Sequence, residues 1–179
     1  ITELDPKDVA FLNDLEVLLD KRVPQVDGLA WSTFGYVCEK GRVVELGLYG
    51  QSLKELPSSI GNLSRLRTLT LYRNELAELP DSIGNLTKLR ALNLHRNGLE
   101  ELPETVGGLV DLESLNLESN KLTSLPEAVG DLANLRNLRL RRNLLASLPP
   151  TVSYLSNLEE LDLYDNQLSL LPEELGELP

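Results

Sequence analysis

Four arginines crowd one short stretch of the chain, RNLRLRRNLL, where Arg136, Arg139, Arg141 and Arg142 lie within seven positions. Dense arginine is the chemistry with which proteins bind nucleic-acid backbones or acidic partner surfaces. The whole chain, however, carries a formal net charge of −11. The cluster is therefore either a local recognition patch or a set of mutually screened surface charges.

A second source of chemistry is the single histidine, His95. General-base catalysis needs a nucleophile and an orienting carboxylate around it, and the many Ser and Asp residues single out no such set. The sequence shows no phosphate-binding loop, no G-x-G-x-x-G motif and no metal-ligand spacing. We therefore expect no catalytic residue, no cofactor and no metal, and we expect that the protein is not an enzyme.

The composition bears on membrane insertion and on the cellular compartment. No apolar run approaches the ~20 residues that span a bilayer, so we expect no membrane insertion. Cys38 is the only cysteine, which forbids an internal disulfide and favours a reducing compartment such as the cytoplasm. An extracellular location stays open, because a leader removed before Ile1 would leave no trace in the sequence.

A 23-residue period organises residues 43–179. The six units begin at Val43, Leu66, Leu89, Leu112, Leu135 and Leu158. Positions 1, 4, 6, 11, 14, 18 and 21 are apolar in every unit, position 15 is always proline, and position 9 is asparagine except for Gln51 in the first. The alternating L-x-L predicts a strand, which the proline ends.

A single unit cannot bury seven aliphatic side chains alone, so the units must stack and share one core. Strands that recur in one direction pair in parallel, with right-handed crossovers. In each coil the strand side is narrower than the side that carries the proline-containing return segment. The stack therefore curves, and the strands line its concave side. We expect the position-9 amides to turn inward and bond backbone groups that the turn leaves unsatisfied.

The pattern LxxLxLxxNxLxxLPxxIGxLxx resembles leucine-rich repeats of the 23-residue class. That class occurs in plant intracellular Ras-group-related proteins, Ras-binding scaffolds, Roco-type proteins and bacterial and archaeal chains. The resemblance implies an α/β fold: a right-handed leucine-rich-repeat solenoid with a curved parallel sheet on its concave face and short helical or irregular convex segments. It also implies protein binding, as the recognition part of a larger signalling or scaffold protein.

Residues 1–42 do not repeat and are expected to form an N-terminal cap. Asp5 followed by Pro6 predicts a helix start, and the apolar residues that follow predict a helix over about 6–20. A strand near 36–38 and a turn at Lys40-Gly41 predict a hairpin that returns into the first repeat.

The order W…GYVC…GRVVEL in this cap is similar to caps of plant-type extracellular repeat domains, which usually contain paired cysteines. Here Cys38 has no partner. We expect Cys38, Trp31 and Phe34 to be buried packing residues.

The sixth unit is expected to lack a C-terminal cap and to expose Leu158, Leu161, Leu163 and Leu168. An apolar end of this kind marks an interaction surface or a truncation. It predicts either a fragment of a longer protein or self-association of the open end with a second copy.

Positions 2, 3, 5, 7 and 8 of each unit are left free to contact a partner. They hold eight arginines and seven acids, a net of +1, while the other nine basic and 21 acidic residues give −12. Nucleic-acid binding needs a continuous positive field, so we expect no nucleic acid as partner. The arginine cluster is thus part of a concave strand. Adjacent strands lie ~4.8 Å apart, which sets Arg141 beside Glu118 and Arg139 beside Asp162, so these charges can pair across the strands.

We therefore expect another protein to bind the concave face. The candidate contact residues are Tyr49, Tyr72, Arg73, His95, Arg96, Glu118, Arg139, Arg141, Arg142 and Tyr164. The alternative is a structural or engineered repeat array that has no natural ligand.

Overall fold

Each 23-residue unit contributes one strand to a single sheet. The computed structural model describes residues 3–177, in which seven strands follow one another in chain order. The helix α1 spans Pro6–Leu19, and the strands are β1 Phe34–Glu39, β2 Arg42–Leu48, β3 Thr68–Thr70, β4 Ala91–Asn93, β5 Ser114–Asn116, β6 Asn137–Arg139 and β7 Glu160–Asp162. From β2 to β7 all neighbours pair in parallel, whereas β1 and β2 pair antiparallel.

Short 3₁₀ helices form the opposite side of each coil. They span Ser58–Asn62, Asp81–Asn85, Glu104–Gly108, Glu127–Asp131, Pro150–Tyr154 and Glu173–Glu177. Each begins directly after the position-15 proline, which cannot continue a strand. The predicted fold class, a leucine-rich-repeat solenoid with an N-terminal helix, is confirmed.

The core is one continuous column of aliphatic side chains. In the first five units the leucines at positions 4 and 6 are at most 2% exposed. They belong to one cluster that runs from Phe11 in α1 to Leu158 in the sixth unit. Positions 3, 5 and 7 alternate with these leucines and therefore face away from the core, on the concave side of the sheet.

The asparagines at position 9 form the predicted ladder. Each amide nitrogen donates to the position-6 carbonyl of its own coil and to that of the preceding coil, at 2.7–3.0 Å. Each Oδ1 accepts from the position-11 N–H of the preceding coil, at 3.1–3.2 Å. In the first unit only a hairpin strand precedes, and the Gln51 amide donates to the Tyr49 carbonyl instead.

A buried ion pair fastens the helix to the first coil. Asp5 caps α1 by accepting from the Lys7 N–H at 2.9 Å. The carboxylate of Asp8 is fully buried and accepts from both ends of the Arg42 guanidinium, at 2.9 and 3.1 Å. It also accepts from the Val43 N–H at 2.7 Å, so a helix residue satisfies the backbone where the repeats begin.

The hairpin strand β1 is longer than the expected segment 36–38. Its two-residue turn at Lys40 and Gly41 has φ of 51° and 76°, which matches the twist of a tight hairpin. The outer edge of β1 is also covered, because Tyr36 exchanges backbone hydrogen bonds with Pro24 and Val26. This edge is therefore closed to pairing with another strand.

Leu158 contradicts its prediction of exposure, since it is 7% exposed and packs within the common core. Leu161, Leu163 and Leu168 are half-buried against that core rather than exposed. The exposed leucines of this unit are instead Leu170 and Leu171, at 78% and 55%. The expected lack of a cap after residue 177 lies outside the described residues.

Replacing Asp8 tests whether its contacts with Arg42 and Val43 stabilise the packing of α1 on the first coil. We expect Asp8→Asn to lower the free energy of unfolding by about 1–3 kcal/mol, because the Arg42 guanidinium and the Val43 N–H lose an ionised acceptor. Urea unfolding of both proteins measures the difference. Asp14→Asn is the control on the same helix: its exposed carboxylate accepts from the Ser59 hydroxyl, and the loss there should stay below about 1 kcal/mol. Equal losses would show that the buried pair has no special role.

Candidate partner-binding face

Four rings form a continuous row across the concave face. Trp31, Tyr49, Tyr72 and His95 are defined here as the ring row. The Trp31 and Tyr49 centroids lie 5.5 Å apart edge to face, Tyr49 and Tyr72 lie 5.2 Å apart, and Tyr72 stacks on His95 at 4.8 Å. The last three occupy position 7 of successive units, so the parallel register of the strands sets their spacing.

The expectation that Trp31 is buried is wrong, because its side chain is 69% exposed. Cys38 and Phe34 are half-buried, and the Lys21 ammonium lies 4.6 Å from the Phe34 ring centre. Trp31 belongs to the loop before β1, whose backbone crosses the concave face at Gly47. A Cβ at position 47 would lie 2.7 Å from the Thr33 carbonyl oxygen, so glycine permits this close approach.

The arginines at position 8 have an unusual backbone conformation with positive φ. Arg73, Arg96 and Arg142 have φ between 55° and 58°, in the left-handed region that costs a non-glycine residue about 1–2 kcal/mol. Their N–H groups donate to the position-7 carbonyl of the next coil at 2.9–3.0 Å, which holds this conformation. The only hint in the sequence is Gly50, which has the same conformation in the first unit.

Arginine side chains lie next to the aromatic rings in the N-terminal half of the concave face. The Arg73 guanidinium donates to the Tyr49 hydroxyl at 3.0 Å and lies 5.9 Å from its ring centre. Arg96 occupies the same position one coil further on and is exposed. The structure thus brings together Tyr49, Tyr72, Arg73, His95 and Arg96, and adds Trp31, which the sequence reasoning assigned to the interior.

Arg139 and Asp162 are neighbours across β6 and β7, as expected, but the arginine pairs with a different carboxylate. The Arg139 guanidinium binds Glu160 through two hydrogen bonds, at 3.0 and 3.1 Å. Asp162 is held by its own turn, since its carboxylate accepts from the Tyr164 N–H at 3.0 Å. The longer Glu160 side chain remains free to reach the arginine, and this pair raises the pKa of Arg139.

Arg141 likewise does not form the expected ion pair with Glu118 among the described residues. Its guanidinium lies over the Tyr164 ring, 4.8 Å from the centre. Its Nε is buried and has no hydrogen-bond partner in residues 3–177. Arg142 lies 3.6 Å from the Asp165 carboxylate, in an exposed pair worth at most about 1 kcal/mol.

Some polar residues of the face have structural roles that the sequence reasoning missed. The side chains of Asn93, Asn116 and Asp162, all at position 5, accept from the N–H two residues later at 3.0 Å. Such local bonds stabilise the turn that follows each strand. The amide and carboxylate oxygens of these side chains are therefore already engaged.

The electrostatic setting of His95 is mixed. Burial lowers its pKa below the ordinary value, Glu118 acts in the opposite direction, and Arg96 and Arg142 lower it further. The imidazole is consequently neutral at pH 7 and behaves as an aromatic member of the ring row.

The described residues contain no group of three or more His, Cys, Asp or Glu side chains placed to hold a metal ion. Within residues 3–177, the chain also has no helix with the length and apolarity of a membrane span.

A curved sheet with one leucine-lined strand per coil and an open, ring-bearing concave face defines a leucine-rich-repeat solenoid. Family models described as a leucine-rich repeat region and a leucine-rich repeat match residues 81–179 and 42–99. The first match covers more than half of the sequence. The chain belongs to the leucine-rich repeat family.

Solved structures of related proteins agree with this assignment. A leucine-rich-repeat protein from Leptospira interrogans is 41% identical, with a TM-score of 0.74 over 75% of this chain and 34% of its own. The ectodomain of the Arabidopsis thaliana membrane receptor kinase GASSHO1/SCHENGEN3, in complex with CASPARIAN STRIP INTEGRITY FACTOR 2, is 32% identical. Its TM-score is 0.71, over 84% of this chain and 19% of its own.

The ectodomain of the Arabidopsis thaliana receptor kinase SOBIR1 is 28% identical, with a TM-score of 0.77 over 96% of this chain and 99% of its own. The chain thus spans about a third of the Leptospira protein and about a fifth of the GASSHO1/SCHENGEN3 ectodomain. No curated protein matches the chain.

Gly47→Ala tests the placement of the ring row. The added Cβ collides with the Thr33 backbone, so we expect the loop to move and Trp31 to leave Tyr49. Trp31 is the only tryptophan, and a shift of its fluorescence emission reports this directly. Gly28→Ala is the control, because its Cβ would have no neighbour within 4 Å. An unchanged spectrum for Gly47→Ala would contradict the close approach.

The pKa of His95 tests the electrostatics, and this single histidine gives one unambiguous NMR titration. We expect a pKa below ~6.5, a further decrease in Glu118→Gln and an increase in Tyr72→Ala, which exposes the imidazole. Because the folded chain then binds the proton more weakly than the unfolded chain, His95 should reduce stability as the pH falls below ~6.5. A pKa above that value would contradict the burial of the ring.

Proposed function

We propose that the protein is a protein-interaction module that binds its partner on the concave face. The ring row carries this proposal: four contiguous aromatic groups lie on the solvent side of a rigid sheet, where the core does not need them. Aromatic side chains and arginine supply most of the affinity in protein interfaces, since they offer large contact areas with few rotatable bonds. In this proposal residues 1–42 act as the cap and 43–179 as six repeats.

The charges of the face suggest how a partner would be oriented. Arg73 and Arg96 flank the ring row, so a partner segment with acidic side chains beside aromatic or proline residues would fit the N-terminal half. At the other half, the Arg141 guanidinium lies over the exposed Tyr164 ring, so a cation and an aromatic surface stand side by side there. Glu118 lies between the two halves and favours a basic residue there.

The related structures support this class of function. One is a receptor ectodomain solved in complex with CASPARIAN STRIP INTEGRITY FACTOR 2, and others are a plant peptide hormone receptor with RGF2 and PEPR1 with AtPEP1. We extend from them only the use of the repeats for protein or peptide recognition. Membership in a larger signalling or scaffold protein, a cytoplasmic location and self-association near the exposed Leu170 and Leu171 are further proposals.

The rival proposal is a repeat array without a natural ligand. It explains the regular core and the asparagine ladder equally well, because both serve folding alone. It gives no reason for a tryptophan that is mostly exposed and packs against Tyr49 and Tyr72. The ring row therefore favours the binding module.

Removing one ring and one arginine tests the proposal. We expect Tyr72→Ala combined with Arg96→Ala to weaken partner binding by about tenfold or more, because interface hot spots of this type contribute at least ~2 kcal/mol. The melting temperature should not change, since neither side chain belongs to the core. Partners are captured from the source cells with the wild-type chain, identified by mass spectrometry, and titrated against each variant.

Tyr154→Ala combined with Arg22→Ala is the matched control. It removes the same two residue types from exposed sites outside the concave face, and the affinity should be unchanged. A partner that binds both double variants equally well would contradict the concave site. If no protein is captured in a manner that depends on Tyr72 and Arg96, the array without a ligand is favoured.

A further inference from the structure

A second surface of the solenoid concentrates positive charge away from the concave face. Lys40, Arg42, Arg65, Arg67, Lys88 and Arg90 line one groove of about 430 Å³, together with Glu39, Asp111 and the buried Val44. We call this the flank groove. Its residues come from the hairpin turn and from positions 23 and 2, which precede the strands, so it lies on the flank of the first three coils.

The lining carries six cationic and two anionic side chains, although the formal net charge of the whole chain is −11. The cations of the repeats stand in two rows, with Arg42, Arg65 and Lys88 directly before each unit and Arg67 and Arg90 at position 2. Neighbours in a row lie ~4.8 Å apart. From the fourth coil the same positions become Asp111 and Glu113 and the array ends. The positive surface is therefore compact, about 10 Å across, and does not continue along the solenoid.

The ion pairs within the groove are weak enough to be replaced. The Lys88 ammonium lies 3.0 Å from Asp111 and the Arg90 guanidinium 3.8 Å from Glu113, with side chains that are 55% and 63% exposed. Exposed pairs of this kind contribute about 0–1 kcal/mol. Arg42 is different, because it is bonded to the buried Asp8 and holds the floor of the groove in place.

Two cations need no displacement at all. Lys40 and Arg65 are exposed, and neither forms an ion pair with any side chain in residues 3–177. A ligand can therefore bind these two cations first. It then competes with Glu39 for Arg67 and with Asp111 for Lys88. A carboxylate would bring only the same single charge as the acid that it replaces.

Phosphate groups compete better, because each carries about −1.5 to −2 and presents three acceptor oxygens that match the guanidinium fork. Cavities of about 300–1,000 Å³ suit small molecules. We propose that the flank groove binds a small, free ligand that carries several phosphate groups in close array. A lipid headgroup is disfavoured, since an anionic bilayer would repel a chain of net charge −11.

Calorimetric titration with inositol hexakisphosphate, supplemented by inorganic tripolyphosphate, tests this site. Lys40→Gln combined with Arg65→Gln should weaken binding by about tenfold, because it removes two charge-assisted contacts. Lys54→Gln combined with Arg22→Gln is the matched control: it removes the same charge from exposed positions outside the groove. This control should bind like the wild-type chain.

The alternatives give different results. Equal weakening by both double variants, or no binding by the wild-type chain, would overturn the proposal. A glutamate-rich peptide that binds as tightly as inositol hexakisphosphate would overturn the phosphate class, and tighter binding to phosphoinositide vesicles than to the free headgroup would overturn the free ligand. Tyr72→Ala combined with Arg96→Ala should leave phosphate binding unchanged, so the flank groove and the concave site can fail independently.

Discussion

The amide ladder at position 9 is the interaction on which the rest of the structure depends. In a single coil the position-11 N–H has no partner, and the second hydrogen bond to the position-6 carbonyl comes from the asparagine of the next coil. Each asparagine connects two coils, so these groups are satisfied only when neighbours stack in one register. Because that register repeats, side chains at one position form rows with the strand spacing. The ring row and the arginine rows are consequences of the same constraint.

The concave face combines residues that build it with residues that it displays. The position-5 side chains of Asn93, Asn116 and Asp162 hydrogen-bond within the local turn. The residues at position 8 have a left-handed backbone conformation, which hydrogen bonds to the next coil stabilise. The rings at position 7 and the arginines at position 8 extend beyond this turn. Aromatic contact area and positive charge thus lie side by side at fixed distances, without flexible loops to order on binding.

The N-terminal helix and hairpin have several roles. The buried Asp8 of the helix satisfies Arg42 and the Val43 backbone, while the hairpin continues the sheet and the loop before it crosses the face at Gly47. That crossing adds Trp31 to rings that belong to the repeats. The same hairpin turn contributes Lys40 to the flank groove. The ring row and the flank groove therefore both combine N-terminal residues with the first three coils, whereas on the later coils Arg136 and Arg139 pair with Glu159 and Glu160.

The leucine period alone determined the fold, the parallel order of the strands, the asparagine ladder and which repeat positions face outward, because each follows from spacing along the chain. Tertiary structure decided the rest. Thr33 and Gly47 are 14 residues apart with no periodic relation, so only the path of the loop reveals their close approach. Arg139 selects Glu160 because the nearer Asp162 is held by its own backbone, and Asp8 meets Arg42 only when helix and hairpin pack together. Spacing encodes repeated neighbours, whereas single contacts depend on side-chain reach and on competition for the same hydrogen-bonding groups.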